Sequence, residues 1–423
     1  RPRRGVGNRR ASVCGMRLGH LILCAVLGLG TGCVMSPPPD VDPDPDAGET
    51  PTDAGEVPVA NGWSWLPVEG SRCARGATAG IGIKRGTSAE DLFIYLQGGG
   101  ACWNRGTCAP SHLQFGPICH YGENICLYDG EGGTKPLSVH VATADPFPAN
   151  GQGAFVQDLA VLEQTELVRA TLPTSPFRGA NFVYVPYCTG DLHSGNATVE
   201  FDVNTGFGTP TTKRTFHFAG AANLELYLAE LKARFPETRR IWLTGVSAGG
   251  YGATLNFDRV RAAFPEAEVH LLADSAPMVQ PNFWSDAQDL WKAEIPEGCA
   301  DCAQGLPQWM EHVLEQSGPR HRVALLAYDA DATISYFFYG GTGIESLLSP
   351  PTGVYQSALN QLLTRFQGRE AAGAFVLPGT SHVMLGGYGA VQSDGTVTAP
   401  FPSADGTTDL RRWIVGWATG EAR

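Results

Sequence analysis

The stretch Gly245-Val246-Ser247-Ala248-Gly249 decides how the rest of this sequence is interpreted. It follows the apolar run 241–244, which is typical of a buried strand, and it precedes a segment with helical character. A G-x-S-x-G sequence between a strand and a helix is typical of a sharp turn that presents the serine side chain, because glycines fit where the turn leaves no room for a Cβ atom. The stretch therefore predicts a nucleophilic hydroxyl on Ser247, with an ordinary Gly-Ser turn as the alternative.

Apolar runs alternate with helical patterns along the body of the chain. Alternation of this kind predicts an α/β fold with a mostly parallel central sheet covered by helices on both faces. In such sheets the chemistry gathers at the carboxyl ends of the strands, and the turn at Ser247 makes the pattern typical of an α/β-hydrolase. The runs that carry this prediction are 91–96, 181–186, 241–244, 269–272, 323–327 and 374–377.

Composition divides the 423 residues into three regions. Residues 1–33 are rich in arginine and contain the apolar run 18–29, which is too short to span a membrane and is typical of a secretory signal. Because Gly30-Thr31-Gly32 precedes Cys33, we expect a lipid anchor on Cys33, with a plain signal peptide as the alternative. Residues 34–60, rich in proline and aspartate, are expected to form a disordered tether, and 61–423 the catalytic domain.

The charge and the predicted leader together indicate where the protein acts. The formal net charge is −12, and no basic patch suggests binding to nucleic acid. We therefore expect an exported protein, either a lipoprotein of the cell envelope or a secreted one.

Cysteine usage also favours export. Beyond the leader the number of cysteines is even, which predicts up to four disulfides. The pair Cys299 and Cys302 has C-x-x-C spacing, so a zinc site is the competing interpretation. Residues 102–178 interrupt the alternation and are expected to form an insertion or lid pinned by disulfides, or else a structural excursion. The cysteines are Cys73, Cys102, Cys108, Cys119, Cys126, Cys188, Cys299 and Cys302.

A serine nucleophile needs a base and a carboxylate that orients the base. In α/β-hydrolases the chain order is serine, acid and histidine, so both partners are expected after Ser247. Asp329 directly follows a predicted strand and is the predicted acid, with Asp331 as its near rival. Asp274, after the preceding strand, is expected to line the pocket or cap a helix. His382 follows the last predicted strand and is the predicted base.

The negative charge that develops during ester cleavage needs hydrogen-bond donors that are already in place. Gly98-Gly99-Gly100 ends an early strand and has the composition of an oxyanion loop, with Gln97 where such loops carry histidine. We expect the backbone amides of Gly99, Gly100 and Ala248 to be the donors. A tight turn is the alternative interpretation of the glycine triplet.

Four blocks of the sequence resemble, in order, the motifs of the pectin acetylesterase/Notum family, and the resemblance covers about 63–385. It implies an α/β-hydrolase carboxylesterase that uses a Ser-Asp-His triad without metal or cofactor. The blocks are 96–104, 186–195, 245–250 and 255–260. The residues that the resemblance assigns are Ser247, Asp329 and His382 for catalysis and Gly99, Gly100 and Ala248 for the oxyanion.

The resemblance leaves the substrate open. Plant members usually have Glu and Trp where this chain has Gln97 and Ala101, and they remove acetyl groups from pectin. The block 191–195 looks closer to the Notum version, whose members remove a lipid from a protein. The favoured hypothesis is an exported serine carboxylesterase that removes an acetyl group from a polysaccharide such as pectin. A long-chain or lipid-type deacylase and a non-catalytic glycan-binding surface lipoprotein are the alternatives.

Overall fold

The computed structural model describes residues 55–108, 175–203, 211–339, 351–385 and 401–421, together with the isolated residues 152, 155 and 159. Within these ranges the central strands are near-continuous apolar runs, because both faces of their sheet are covered. The strands are β1 Val57–Pro58, β2 Trp63–Arg72, β3 Thr78–Lys84, β4 Asp91–Leu96, β5 Asn181–Val185, β6 Ala197–Val203, β7 Thr212–Phe218, β8 Arg240–Val246, β9 Glu268–Asp274, β10 Val323–Tyr328 and β11 Ala372–Leu377.

The helices lie mostly between the later strands. Some have clear end signals: the side chain of Asp409 accepts a hydrogen bond from Arg412 N at the start of the last helix, and Gly420 ends that helix in a left-handed conformation. The helices are α1 Arg105–Cys108, α2 Gly220–Arg234, α3 Ala248–Leu255, α4 Phe257–Ala263, α5 Trp284–Trp291, α6 Leu306–Glu315, α7 Ala332–Phe338, α8 Thr352–Leu363 and α9 Leu410–Thr419, with 3-10 turns at Ala300–Gln304 and Thr364–Phe366.

Nine strands form one sheet in the order β1-β2-β3-β5-β4-β8-β9-β10-β11. In this order, the neighbours β5-β4-β8-β9-β10-β11 pair in parallel, and the neighbours β1-β2-β3-β5 pair in antiparallel. The carboxyl ends of β4, β8, β9, β10 and β11 therefore meet at one edge of the sheet, where the loops that follow them can converge. The predicted mostly parallel sheet is confirmed, and β6 with β7 forms a separate hairpin.

Two hydrophobic clusters cover the two faces of this sheet. Ile241 and Leu243 belong to the first cluster, together with residues of α2, α3, α4, α6 and α8. Trp242, between them in β8, belongs to the second cluster, which includes Trp413 and Trp417 of α9. Since neighbouring residues of a strand point to opposite faces, β2, β4, β5, β8, β9, β10 and β11 contribute to both clusters.

The start of the folded region differs from the prediction. The tether was expected to reach residue 60, but Val57–Pro58 pairs with β2 and so belongs to the sheet. Glu56 is buried beside it and accepts hydrogen bonds from Ser64, Arg85 and Arg234. This buried carboxylate between two arginines was hidden in an acidic stretch that composition alone assigns to the tether. The leader 1–33 and the tether up to residue 54 lie outside the described residues.

Three disulfides lie within the described ranges, and they join Cys73 to Cys188, Cys102 to Cys108 and Cys299 to Cys302. The zinc interpretation of the C-x-x-C pair is therefore wrong. Most of the predicted insertion 102–178, with Cys119 and Cys126, lies outside the described residues. In the part of the chain that the structure describes, no helix has both the length and the apolar character needed to cross a bilayer.

Candidate active site

Ser247 occupies the turn between β8 and α3. It has φ 54° and ψ −126°, a conformation that non-glycine residues rarely adopt. Its amide donates to the carbonyl of Asp274 at 2.8 Å, which ties the turn to the end of β9. The predicted strand, turn and helix are thus present, with the serine at the carboxyl end of a central strand.

The glycines around Ser247 are needed because the backbone is crowded there. A Cβ on Gly245 would lie 2.3 Å from the carbonyl oxygen of Gly249, and one on Gly249 would lie 2.0 Å from that of Leu96. Both distances are shorter than any real contact, so the turn can form only with glycine at these positions. This packing also brings the turn against the end of β4, where the glycine triplet begins.

His382 lies in the loop after β11, as predicted, and its imidazole meets a carboxylate. Nδ1 is 2.7 Å from Oδ2 of Asp331, whose side chain is fully buried. The other carboxylate oxygen of Asp331 accepts a hydrogen bond from Ile334 N and caps α7. Both oxygens are therefore fixed, and the imidazole is oriented by a carboxylate that cannot rotate freely.

The carboxylates around His382 raise the pKa of its imidazole. Burial alone lowers the pKa of His382, but the charge and the hydrogen bond of Asp331 and the charge of Asp274 act in the opposite direction. The net effect is a raised pKa, because an adjacent carboxylate stabilises the imidazolium. The arrangement suits a base that must accept a proton during a reaction.

Asp329, the predicted acid, does not contact His382 in the described structure. Its Oδ1 accepts from Gly379 N and its Oδ2 from Gln356 Nε2, both at 2.9 Å. Asp329 thus ties the end of β10 to the loop after β11, while Asp331 presents its carboxylate to the histidine. The prediction chose Asp329 because it lies closest to the end of β10. In the structure Asp331 caps the start of α7, and this position directs its carboxylate at the imidazole.

The structure brings the glycine triplet next to Ser247. A Cβ on Gly98 would lie 2.4 Å from the carbonyl oxygen of Val246, so the triplet packs on the turn itself. Gly100 adopts φ 74°. Gly100, Ser247 and Ala248 line the same cavity. Gly99 lies between these contacts and is not among the cavity-lining residues.

Tyr187 and His193 form hydrogen bonds with backbone carbonyls at the glycine triplet. The hydroxyl of Tyr187 donates to Gly100 O at 2.8 Å and accepts from Leu192 N at 2.9 Å. His193 Nε2 is 2.9 Å from Gln97 O, and burial lowers the pKa of His193 to about 4. The buried imidazole is neutral above that pH. Both residues lie in a block that carries the family resemblance, but no role was predicted for them.

Gln97 takes part in the same arrangement. Its side-chain oxygen accepts a hydrogen bond from Tyr187 N at 2.8 Å, and its side chain is buried. The residue that replaces the usual histidine of such loops therefore joins β4 to the segment after β5. Its position before the glycines was noticed in the sequence, but its partner could not be predicted without the strand order.

The cavity beside Ser247 is small and mostly apolar, with a volume of about 30 Å³. One water-sized group needs about 10–15 Å³ of such volume, so the cavity holds two or three groups of that size. Its walls include Leu192, Phe283, Phe337 and Phe338. Such a cavity suits a short apolar group.

An aromatic stack closes one side of this cavity. Trp103 stacks on Phe283 with ring centroids 4.1 Å apart, and Phe337 meets Trp103 edge-on at 6.3 Å. The segment that carries Trp103 is held by the Cys102–Cys108 disulfide and by a hydrogen bond from Trp291 Nε1 to Cys102 O at 2.8 Å. The wall is therefore held by the ring contacts of Trp103 and also by the disulfide and the hydrogen bond of Cys102.

Comparisons with known proteins agree with this architecture. The family model described as Pectinacetylesterase matches residues 173–291. The palmitoleoyl-protein carboxylesterase notum2 of Xenopus laevis is 23% identical over 246 residues, which are 56% of this chain and 40% of that protein. The human palmitoleoyl-protein carboxylesterase NOTUM is 25% identical over 261 residues, covering 56% of this chain and 44% of that protein. The matches thus span less than half the length of these relatives.

Solved structures agree at the level of the fold. The alignment with a crystal structure of the Wnt deacylase Notum from Drosophila covers 84% of this chain and 93% of the Notum chain, with a TM-score of 0.50 and 17% identity. A second crystal form gives a TM-score of 0.51 over 85% of this chain. Together the comparisons confirm the resemblance to the pectin acetylesterase/Notum family and agree with the predicted α/β-hydrolase fold.

Proposed function

We propose that this protein is an exported serine carboxylesterase in which Ser247, His382 and Asp331 act together. The observation that carries the proposal is the hydrogen bond of 2.7 Å between His382 Nδ1 and Asp331. Because Nδ1 holds the proton toward the carboxylate, Nε2 keeps the lone pair that a base needs. Asp331 takes the role for which the sequence favoured Asp329.

The reaction proceeds through an acyl-enzyme. His382 accepts the hydroxyl proton while the oxygen of Ser247 attacks the ester carbonyl, and the alcohol then leaves with that proton. Water, deprotonated by the same imidazole, next cleaves the acyl-enzyme and restores the serine. The amides of Gly99, Gly100 and Ala248 donate to the oxyanion in both halves of the reaction.

The acyl group is acetyl or another short chain. A cavity of about 30 Å³ beside Ser247 supports this choice, because it matches an acetyl group in size. The relatives named as palmitoleoyl-protein carboxylesterases favour a long-chain deacylase as the second candidate. An acetylated polysaccharide such as pectin is the proposed natural substrate, on the strength of the Pectinacetylesterase match.

Export is supported by the three disulfides of the described residues, since such bonds persist in oxidising compartments. An acylated Cys33 would anchor the protein to the cell envelope. Recovery of Cys33→Ala in the soluble fraction, with the unaltered chain in the membrane fraction, tests the anchor; equal partition of both argues for secretion.

Labelling of Ser247 tests the proposed activity. The protein should react with a fluorophosphonate and release acetate from p-nitrophenyl acetate, and Ser247→Ala should abolish both while the protein stays folded. Ser403→Ala, in a surface turn, is the matched control and should react like the unaltered protein. Turnover by folded Ser247→Ala would overturn the assignment, and glycan binding without labelling would favour a binding protein.

A chain-length series separates the two candidate esterases. Acetate and propionate esters should be cleaved fastest, with rates falling steeply beyond butyrate, alongside acetate release from acetylated pectin and xylan. Faster cleavage of long-chain esters would favour the lipid-type deacylase instead.

A further inference from the structure

Asp274, the last residue of β9, is buried and binds the loop that follows His382. Its Oδ2 accepts hydrogen bonds from Met384 N at 2.8 Å and from Leu385 N at 2.7 Å. Ser275 donates to Oδ1 of Asp274 at 3.1 Å and accepts from Val383 N at 2.8 Å. Three consecutive amides directly after the histidine are therefore held by one pair of residues.

The same residue also holds the serine turn. The carbonyl of Asp274 accepts the amide of Ser247, so its backbone contacts the nucleophile and its side chain contacts the loop of the base. Ser247, Ser275 and Val383 have φ values of 54°, 50° and 68°. Non-glycine residues rarely adopt such backbone angles unless surrounding hydrogen bonds hold them. Asp274 supplies or supports hydrogen bonds to all three residues.

We propose that Asp274 is a positioning residue that fixes His382 relative to Ser247, because its carbonyl binds the serine turn and its carboxylate binds the loop after His382. This inference rests on the proposed function above. A role limited to the stability of the sheet is the competing explanation. The two differ because a positioning carboxylate acts on the imidazole, whereas a structural one changes only the folding equilibrium.

The charges around His382 make this difference measurable. The carboxylates that face the imidazole are Asp331, from the turn before α7, and Asp274, from β9. The phenols of Tyr251 and Tyr355 lie near Asp331 and stay neutral, since burial raises the pKa of both. Burial also raises the pKa of Asp274 to about 6, against its hydrogen bonds and the charge of His382. Above that pH Asp274 adds a negative charge beside the imidazole.

Asp274→Asn keeps the shape of the side chain and removes its charge. We expect kcat for p-nitrophenyl acetate to fall about 10–100-fold with KM within about twofold, since the amides of Met384 and Leu385 lose a charged acceptor. The acid limb of the kcat/KM profile should move to lower pH, because a charge that stabilises the imidazolium is gone.

Ser275→Ala separates geometry from charge. It leaves the carboxylate in place and removes the acceptor of Val383 N, so kcat should fall while the acid limb stays where it is. Thr244→Val is the matched control, because Thr244 donates to Leu272 O in the same sheet and is equally buried. It should lower stability without changing kcat or the pH profile.

NMR titration of the His382 ring tests the inference independently of activity. The pKa of His382 should fall in Asp274→Asn and stay unchanged in Ser275→Ala and Thr244→Val. An unchanged His382 pKa and kcat in folded Asp274→Asn would overturn the inference. If Asp274→Asn does not fold, a normal kcat in Ser275→Ala overturns it. Absence of Ser247 labelling in the unaltered protein would instead overturn the proposed function and leave the ring titration to decide this inference.

Discussion

The two sides of the site are held in place by different chemistry. On the proposed oxyanion side, uncharged hydrogen bonds from Tyr187 and His193 hold the glycine loop, and two disulfides brace the neighbouring segments. On the side of the proposed base, called the base side below, two buried carboxylates, Asp274 and Asp331, hold His382 and its loop. Neutral and covalent links do not respond to mild acid, whereas Asp274 does, because burial raises its pKa to about 6. The two halves should therefore respond separately to pH and to reduction.

The largest expected effect comes from the aspartates of the base side. Asp331→Asn should lower kcat about 10⁴-fold, since the imidazole loses the carboxylate that fixes its tautomer. Asp329→Asn should lower kcat less than about tenfold, because its oxygens contact Gly379 N and Gln356. Steady-state kinetics on both purified variants measures the difference. A large loss in Asp329→Asn with a small loss in Asp331→Asn would restore the sequence-based choice.

A change on the oxyanion side should be smaller and independent of pH. Tyr187→Phe removes the donor to Gly100 O and the acceptor of Leu192 N, so kcat should fall about 10–100-fold with KM nearly unchanged. Tyr227→Phe is the control, because Tyr227 is an equally buried tyrosine whose hydroxyl bonds to Ser71 and Gly80. A shifted acid limb in Tyr187→Phe would mean that the two sides are not separate.

Acid should act through the base side alone. The base must be neutral, and the pKa of His382 is raised, so kcat/KM should fall about tenfold per pH unit below a pKa that lies above 6.5. His193 should not contribute above about pH 5, since burial lowers its pKa to about 4. A pH profile from 4.5 to 9 checks this, and a midpoint below 6.5 would contradict the assigned environment of His382.

The aromatic wall should set the length of the acyl group. Phe283→Ala removes the ring that stacks on Trp103, so the preference for acetate over hexanoate esters should fall about tenfold. Phe201→Ala, which removes one ring of the Phe201–Phe216 pair in the β6–β7 hairpin, should leave the preference unchanged. An unaltered preference in Phe283→Ala would show that another part of the site selects the substrate.

The fold and much of the site follow from local sequence. The strand before Ser247, the glycines around it and the histidine after the last strand are each marked by neighbouring residues, and the structure has all three features. Asp329 was chosen over Asp331 because it is nearer the strand end. The stronger signal was that Asp331 precedes Ala332–Phe338 as its N-cap, which fixes the direction of its carboxylate.

Long-range partners were beyond the reach of the sequence. The contacts of Asp274 with Met384 and Leu385 join residues 110 and 111 positions apart, and those of Gln97 with Tyr187 join residues 90 apart. Such contacts depend on the order of strands in the sheet, which apolar runs do not reveal. Glu56 is similar, because its burial depends on arginines from two distant elements.

The smallest effect on catalysis should come from the disulfides, and it separates stability from activity. The Cys73–Cys188 bond closes a sequence separation of 115 residues, and the Cys299–Cys302 bond one of 3. Chain entropy predicts a loss of about 5 kcal/mol of unfolding free energy when the first is replaced by serines, and about 2 kcal/mol for the second. Denaturant unfolding of the two double variants measures this difference. Because Tyr187 precedes Cys188, the first variant should also lose some kcat, while the second should keep it. Equal kcat in both variants would mean that the hydrogen bonds of Tyr187 hold the oxyanion loop without covalent support.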